Sequence, residues 1–276
     1  MKTSITFSLA FLILLICSCD NLIAQISWLN TWEDAKNKSI NVNKLIIADF
    51  TAEWCLPCEK MEKEVWNQPM LFPFASKLIY TKIDFDNSIP LNNKYDIDAI
   101  PAILIFDGFG TKLFHFIGYQ NVDFIRNLIN ALPNDVTDLH ITKNKLKSKP
   151  DDLMLKIELA DIYRKYGMNE LSNEHYESIL YLDETQNNQE LVDQVMTFMA
   201  VNYIFLNDPD EASDLFEDCI EEYPNSKYRP LHLFGQVKSN LMMDEEENAM
   251  EYYKLLITEY PDDKHTLWAK NLINEY

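Results

Sequence analysis

Two cysteines three residues apart, Cys55 and Cys58, follow the apolar run Leu45-Ile-Ile-Ala-Asp-Phe50 and open a segment with helical spacing. The run suits a short strand buried on both faces. Met61 and Val65, four apart with Lys and Glu between them, predict a helix from Cys55 to about Val65. A cysteine at a helix N-terminus faces unsatisfied N–H groups and the positive end of the macrodipole. Its thiolate therefore forms at lower pH than that of a free thiol. Pro57 suits this first turn, where its missing N–H has no helical partner to lose. The spacing lets one sulfur attack a substrate disulfide and the other resolve the mixed disulfide. Half of a zinc site and a structural disulfide compete with this reading. Zinc takes four ligands, yet there is no second cysteine pair, and His115, His140, His175, His232 and His265 are scattered. Redox chemistry without a cofactor or metal is the expectation.

The flanks predict an α/β fold. Trp28, Leu29, Trp32 and Ala35 recur at helical spacing over 28–40. Residues 78–85, 102–106 and 112–117 read as strands, and Asn121 to Leu132 as an amphipathic helix with Phe124, Ile125, Leu128 and Ile129 on one side. The irregular stretch 86–100 has room for a further helix. Strands mixed with helices imply a sheet covered on both faces. Asp49 sits inside the apolar run, so burial should raise its pKa and let it exchange protons near neutrality.

Ala48-Asp-Phe-Thr-Ala-Glu-Trp-Cys-Leu-Pro-Cys58 resembles the active-site strand and turn of the thioredoxin family, and Ile100-Pro101 resembles its cis-proline loop. Thr51, and Glu59-Lys60-Met61-Glu62 after the cysteines, look closer to the exported bacterial branch with the C-terminal domain of thiol:disulfide interchange proteins. The match spans about residues 28–132. It implies a thioredoxin-like fold, a mixed sheet with helices on both faces, with Cys55 as nucleophile and Cys58 as resolving thiol. Asp49 is implied as proton relay for Cys58, with Lys82 near it. Trp54 is implied to shield the disulfide and touch substrate. Pro101 is implied to be cis, with the Ile100 backbone pairing to an extended substrate strand. The implied partners are protein thiols and disulfides and an upstream thiol–disulfide electron donor.

Beyond Pro150 the pattern turns to helices only. Ala160, Tyr163, Ser172 and Tyr176 recur forty residues on as Ala200, Tyr203, Ala212 and Phe216, and the last two recur again as Ala249 and Tyr253. Glu222-Tyr-Pro matches Glu259-Tyr-Pro. This small-then-aromatic spacing resembles tetratricopeptide repeats, with a period longer than the usual ~34 residues. An all-α helical-repeat domain is therefore expected over 151–276, with 264–276 as a capping helix. Residues 133–150, rich in lysine and without an apolar stripe, read as a linker or connecting helix, and residues 25–132 as the thioredoxin-like domain.

Lys2 followed by the apolar run Ile5 to Ile16 reads as an export signal. Cleavage after Leu22-Ile23-Ala24 would give a leader of 1–24; a lipoprotein box at Ile16-Cys17-Ser18-Cys19 would give 1–18 and a lipid anchor at Cys19. Of five cysteines only Cys55, Cys58 and Cys219 then remain, too few for a disulfide framework, and Cys219 reads as a buried helix residue. Residues 1–150 carry 15 Lys/Arg against 16 Asp/Glu, net −1; residues 151–276 carry 9 against 28, net −19. So acidic a half disfavours nucleic acid, whose phosphates need Lys and Arg, and leaves a protein partner on the repeats as the expectation.

These expectations combine into an extracytoplasmic, periplasmic or envelope-attached thiol–disulfide oxidoreductase that reduces protein disulfides. Two other readings stay open: a binding module whose thioredoxin-like half is a scaffold, and a redox-sensing adaptor whose cysteine pair switches partner binding.

Overall fold

A computed structural model of the chain describes residues 25–275 except 183, 184 and 186. The expected export leader, with Cys17 and Cys19, lies outside the described residues. The chain divides into two compact units at Val136/Thr137.

The first unit is a five-stranded mixed sheet in the order β1-β3-β2-β4-β5. Its strands are β1 (Trp28–Leu29), β2 (Ile46–Thr51), β3 (Ile79–Asp84), β4 (Ala102–Phe106) and β5 (Lys112–Ile117). β1 and β2 both run parallel to β3, whereas β4 runs antiparallel to β2 and β5. The apolar run thus becomes the central strand, bonded on both edges, which is why every residue from Ile46 to Phe50 is buried. Register splits the sheet's faces. Ile46, Ala48 and Phe50 of β2 and Leu104 and Phe106 of β4 join one core with Ala35 of α1 (Trp32–Val42) and Tyr95 of α3 (Ile89–Tyr95). The opposite face carries Asp49 beside Lys82 and Ile103. That alternation belongs to the pleat and puts Asp49 on the side away from α1 and α3.

The N-terminal segment departs from the expected helix over 28–40. Trp28 and Leu29 pair with Tyr80 and Thr81 as an edge strand, and the helix starts only at Trp32. The cause is Thr31, whose hydroxyl accepts the Asp34 N–H at 3.1 Å and caps the helix. Trp28 instead packs edge-on against Trp66 and Tyr80. The irregular stretch 86–100 does hold a helix, α3, and α4 (Val122–Ala131) follows β5.

Among the described residues the second unit's regular structure is all helical. Its helices are α5 (Thr137–Ser148), α6 (Leu153–Lys165), α7 (Asn169–Leu180), α8 (Gln189–Phe205), α9 (Pro209–Glu222), α10 (Arg229–Met242), α11 (Glu246–Glu259) and α12 (Lys264–Glu275). Of the two readings of 133–150, linker or connecting helix, α5 is the helix. Thr142 donates to Glu158 at 2.9 Å and Lys165 pairs with Asp138 at 2.8 Å, tying the helix to α6 with Leu139, His140 and Thr142 buried. It belongs to the second unit, while Val136 is buried in the first and donates its N–H to Asn43. Lysines on the outer side hid the buried side from a search for an apolar stripe.

The recurring small residues do in the structure what their spacing implies. Ala160, Ser172, Ala200, Ala212 and Ala249 are all fully buried, and the Ser172 hydroxyl donates to the Ala160 carbonyl at 2.9 Å. Tyr176 and Phe216 fill the space that these positions leave. Phe216 lies against Gly235, where a Cβ would come within 2.3 Å of its ring.

Candidate active site

β2 delivers the site. The chain leaves its C-terminal end at Thr51, turns through a Cys55 N–H to Ala52 carbonyl bond of 3.1 Å, and enters α2 (Leu56–Met61) with Cys55 as N-cap. Cys55 keeps an extended backbone, φ −84° and ψ 96°, so its sulfur stands over the first turn and accepts the Cys58 N–H at 3.2 Å. Its carbonyl accepts from Glu59, beginning the helix. The two sulfurs are joined as a disulfide with 2.04 Å between them. Reduced, the same N–H groups and helix dipole would stabilise a thiolate on Cys55 but not on Cys58, which lies inside the helix.

Around the pair the surface is apolar and open. Trp54 is 63% and Leu56 75% exposed, whereas Cys55 and Cys58 are buried. The Trp54 indole N–H donates to Asp86 at 2.8 Å, which fixes the ring's orientation. Just before the neighbouring strand β4 the Ile100–Pro101 bond is cis. Because Phe50 pairs with Ala102, Pro101 lies opposite Thr51, at the end of the sheet from which the cysteine turn departs. The Pro101 carbonyl accepts from Gly118 at 2.7 Å, while neither the N–H nor the carbonyl of Ile100 hydrogen-bonds among the described residues. Such a free pair of main-chain groups is the edge that an added strand requires.

Asp49 lies in the strand behind the cysteines. It is 4% exposed, and its Oδ1 accepts no hydrogen bond. Burial is the largest cause that lifts its pKa from 3.8 to about 7. Lys82, its partner in register on β3, pulls the other way; Glu62 pushes further up and Trp66 slightly down. Lys82 does not act alone, for its ammonium is ion-paired with Glu62 and lies 4.8 Å from the Trp28 ring centroid. Glu62 and Trp66 come from a π-helical turn, Glu62–Trp66, that extends α2. A cavity of about 390 Å³ lined by Asn30, Thr51, Ala52, Glu53, Lys82 and Asp84 opens beside Lys82.

The structure therefore brings Cys55 and Cys58 into one bond and sets Ile100 and Pro101 at their end of the sheet. Asp49 and Lys82 share a sheet face with residues of the helix that carries the cysteines. Sequence reasoning did not give Glu62 or Trp66 a part in the site. Glu62 falls four residues after Cys58, one helical turn on, and an acid there opposite a strand lysine was the available signal. Trp66 carried no signal, because its place depends on the π turn.

Comparison with known proteins agrees with this geometry. The thioredoxin-like family model matches residues 27–108, and the tetratricopeptide repeat model matches 199–226 and 233–263. The thioredoxin of Echinococcus granulosus is 34% identical over 101 residues, covering 36% of this chain and 87% of the relative. Thioredoxin H8 of Arabidopsis thaliana is 30% identical over 111 residues, covering 39% and 70%. Among solved structures, a DsbH oxidoreductase aligns with 20% identity and a TM-score of 0.34, covering 39% of this chain and 84% of its own. A buried strand that ends in a helix-capping cysteine pair, and relatives matched over most of their length, place this chain in the thioredoxin family, as a thioredoxin-like thiol–disulfide oxidoreductase that also carries tetratricopeptide repeats.

Proposed function

We propose that the protein is exported and there reduces protein disulfides through Cys55 and Cys58, while its acidic repeats hold a protein partner. The observation that supports the redox chemistry is the helix-capping position of Cys55, reached from the strand that holds Asp49, a buried carboxyl poised near neutrality. Supporting export are Lys2 and the apolar run from Ile5 to Ile16; release after residue 24 and anchoring at Cys19 both suit it.

In the reduced protein the Cys55 thiolate attacks a substrate disulfide, forms a mixed disulfide and expels one substrate thiolate. Asp49, ionised, takes the proton of the Cys58 thiol. Cys58 sulfur then attacks Cys55 sulfur, closing the bond seen here and releasing the second substrate sulfur as a thiolate, which takes a proton from solvent. Two electrons pass to the substrate, so an upstream dithiol donor must restore the pair. Ile100 supplies main-chain hydrogen bonds to an extended substrate segment, and Trp54 and Leu56 supply apolar contact. On the repeats, a cavity of about 380 Å³ lined in part by Asp210, Asp214, Glu217, Glu245 and Glu251 suits a cationic segment of a partner.

The test is single-turnover reduction of a generic protein disulfide by the reduced protein, with iodoacetamide labelling at neutral pH. C55S should lose transfer, C58S should stop at a mixed disulfide, and Cys55 should be alkylated first. Faster alkylation of Cys58, or transfer by C55S, defeats the assignment; a protein that oxidises dithiols but leaves substrate disulfides intact defeats the direction.

A further inference from the structure

We propose that Asp193, Cys219 and His232, in the second unit, form a binding site for a divalent cation of the zinc type, independent of the redox pair. The three residues come from α8, α9 and α10, are all buried, and offer ligand atoms that lie within 4.8 Å of one another. Asp193 Oδ1 and His232 Nε2 are 3.4 Å apart. Tetrahedral zinc with bonds of ~2.0–2.3 Å sets its ligands about 3.5 Å apart. One edge of the site is thus already at coordinating distance, and the sulfur lies within 4.8 Å of both other ligand atoms. His232 Nε2 is hydrogen-bonded to Thr197 Oγ1 at 2.7 Å, and the Thr197 hydroxyl donates to the Asp193 main-chain carbonyl at 2.6 Å, so an ion at Nε2 replaces the Thr197 bond, and a water can take the fourth position.

One ligand atom of the cluster is left without the bond such a position normally has. Asp193 Oδ1 makes no hydrogen bond, although the residue is 3% exposed. Ser226 donates to the other Asp193 oxygen, which holds the carboxylate in place. When a divalent ion binds, Cys219 loses its proton to solvent as the sulfur–metal bond forms, and no electron moves. Carboxylate, thiolate and dication then sum to zero charge in a low-dielectric interior.

Thiolate and imidazole donors select zinc-like ions over magnesium and calcium, which take oxygen. An entry route exists: a cavity of about 440 Å³ reaches Asp193 past Glu190 and Glu222, whose charges attract a cation. The cluster spans three consecutive helices of the repeat, so an ion there would pin them together.

The experiment uses the full chain with C17S and C19S and with the Cys55–Cys58 disulfide formed, leaving Cys219 as its thiol. Titration with cobalt(II) should give a sulfur-to-cobalt charge-transfer band that saturates at one equivalent and is abolished by zinc. C219S should lose the band, and H232Q should weaken binding at least about tenfold. A second measurement does not depend on variant folding: zinc should slow modification of Cys219 by a thiol reagent in the parent by at least about tenfold, since a coordinated thiolate is both shielded and held. Absence of the band with unprotected Cys219, or a band that survives C219S, overturns the site.

Discussion

Replacing Asp49 by Asn removes the one buried carboxyl behind the cysteines and keeps its volume. Lifting a carboxyl from 3.8 to about 7 corresponds to about 4 kcal/mol against its charged form. The sign follows from proton binding. Between those two values the folded chain holds a proton that the unfolded chain has lost, so stability falls as pH rises from about 4 to about 7 and then levels off. In acid, with the carboxyl neutral in both states, Asp49→Asn should match the parent. Above pH 7 it should be more stable by up to about 4 kcal/mol, an upper bound, because the unpartnered Oδ1 marks a position where relaxation and water entry reduce the penalty. Denaturant unfolding of the oxidised protein between pH 4 and pH 9, followed by the tryptophans of the first unit, reads this directly. The catalytic consequence runs the other way: the variant has no base for Cys58, so resolution of a mixed disulfide formed at Cys55 should slow and lose its rise near pH 7. A stability difference that is flat with pH, or a parent-like pH–rate profile in the variant, refutes the reasoning.

Glu62→Gln should lower the Asp49 pKa, because it removes a negative neighbour and frees Lys82 from its ion pair; carboxyl carbon shifts followed by NMR give the direction, and no change would remove Glu62 from the site. Gly235→Ala should destabilise the second unit by about 1–3 kcal/mol, since its methyl meets the Phe216 ring, itself 1% exposed, and a melt unchanged from the parent would contradict the packing. A first unit ending at residue 136 should be more stable than one ending at 132 by about 1.5–3 kcal/mol, the worth of burying Val136, and urea melts that coincide would put the boundary back at 132.

The centre of the first unit was legible because its signals are local. A central strand needs both faces apolar, so Leu45–Phe50 declared itself, and a cysteine pair just beyond such a strand has few other structural explanations. Asp49 was legible for the same reason, as a charge inside that run. What was missed is set by tertiary pairing. Trp28 and Leu29 satisfy helical spacing with Trp32 and Ala35, yet they become a strand because β3 offers a free edge and Thr31 breaks the helix at its cap. Glu62 was visible as a residue but not as a partner, because Lys82 reaches it only after β3 has paired with β2.

In the second unit the same distinction separates the framework from what lies inside it. Ala160, Ala200, Ala212 and Ala249 repeat because each helix contact needs a small residue at the same place, and a repeated contact leaves a repeated letter. Asp193, Cys219 and His232 repeat nowhere. They lie 26 and 13 residues apart along the chain, and a search for metal ligands by spacing passes over them because each sits on a different helix. Only the stacking of α8, α9 and α10 turns three solitary residues into one cluster. Scatter of histidines along a repeat array says little about their distance in space, and so leaves His232 open to a cluster, since an array returns to the same interior at every helix pair.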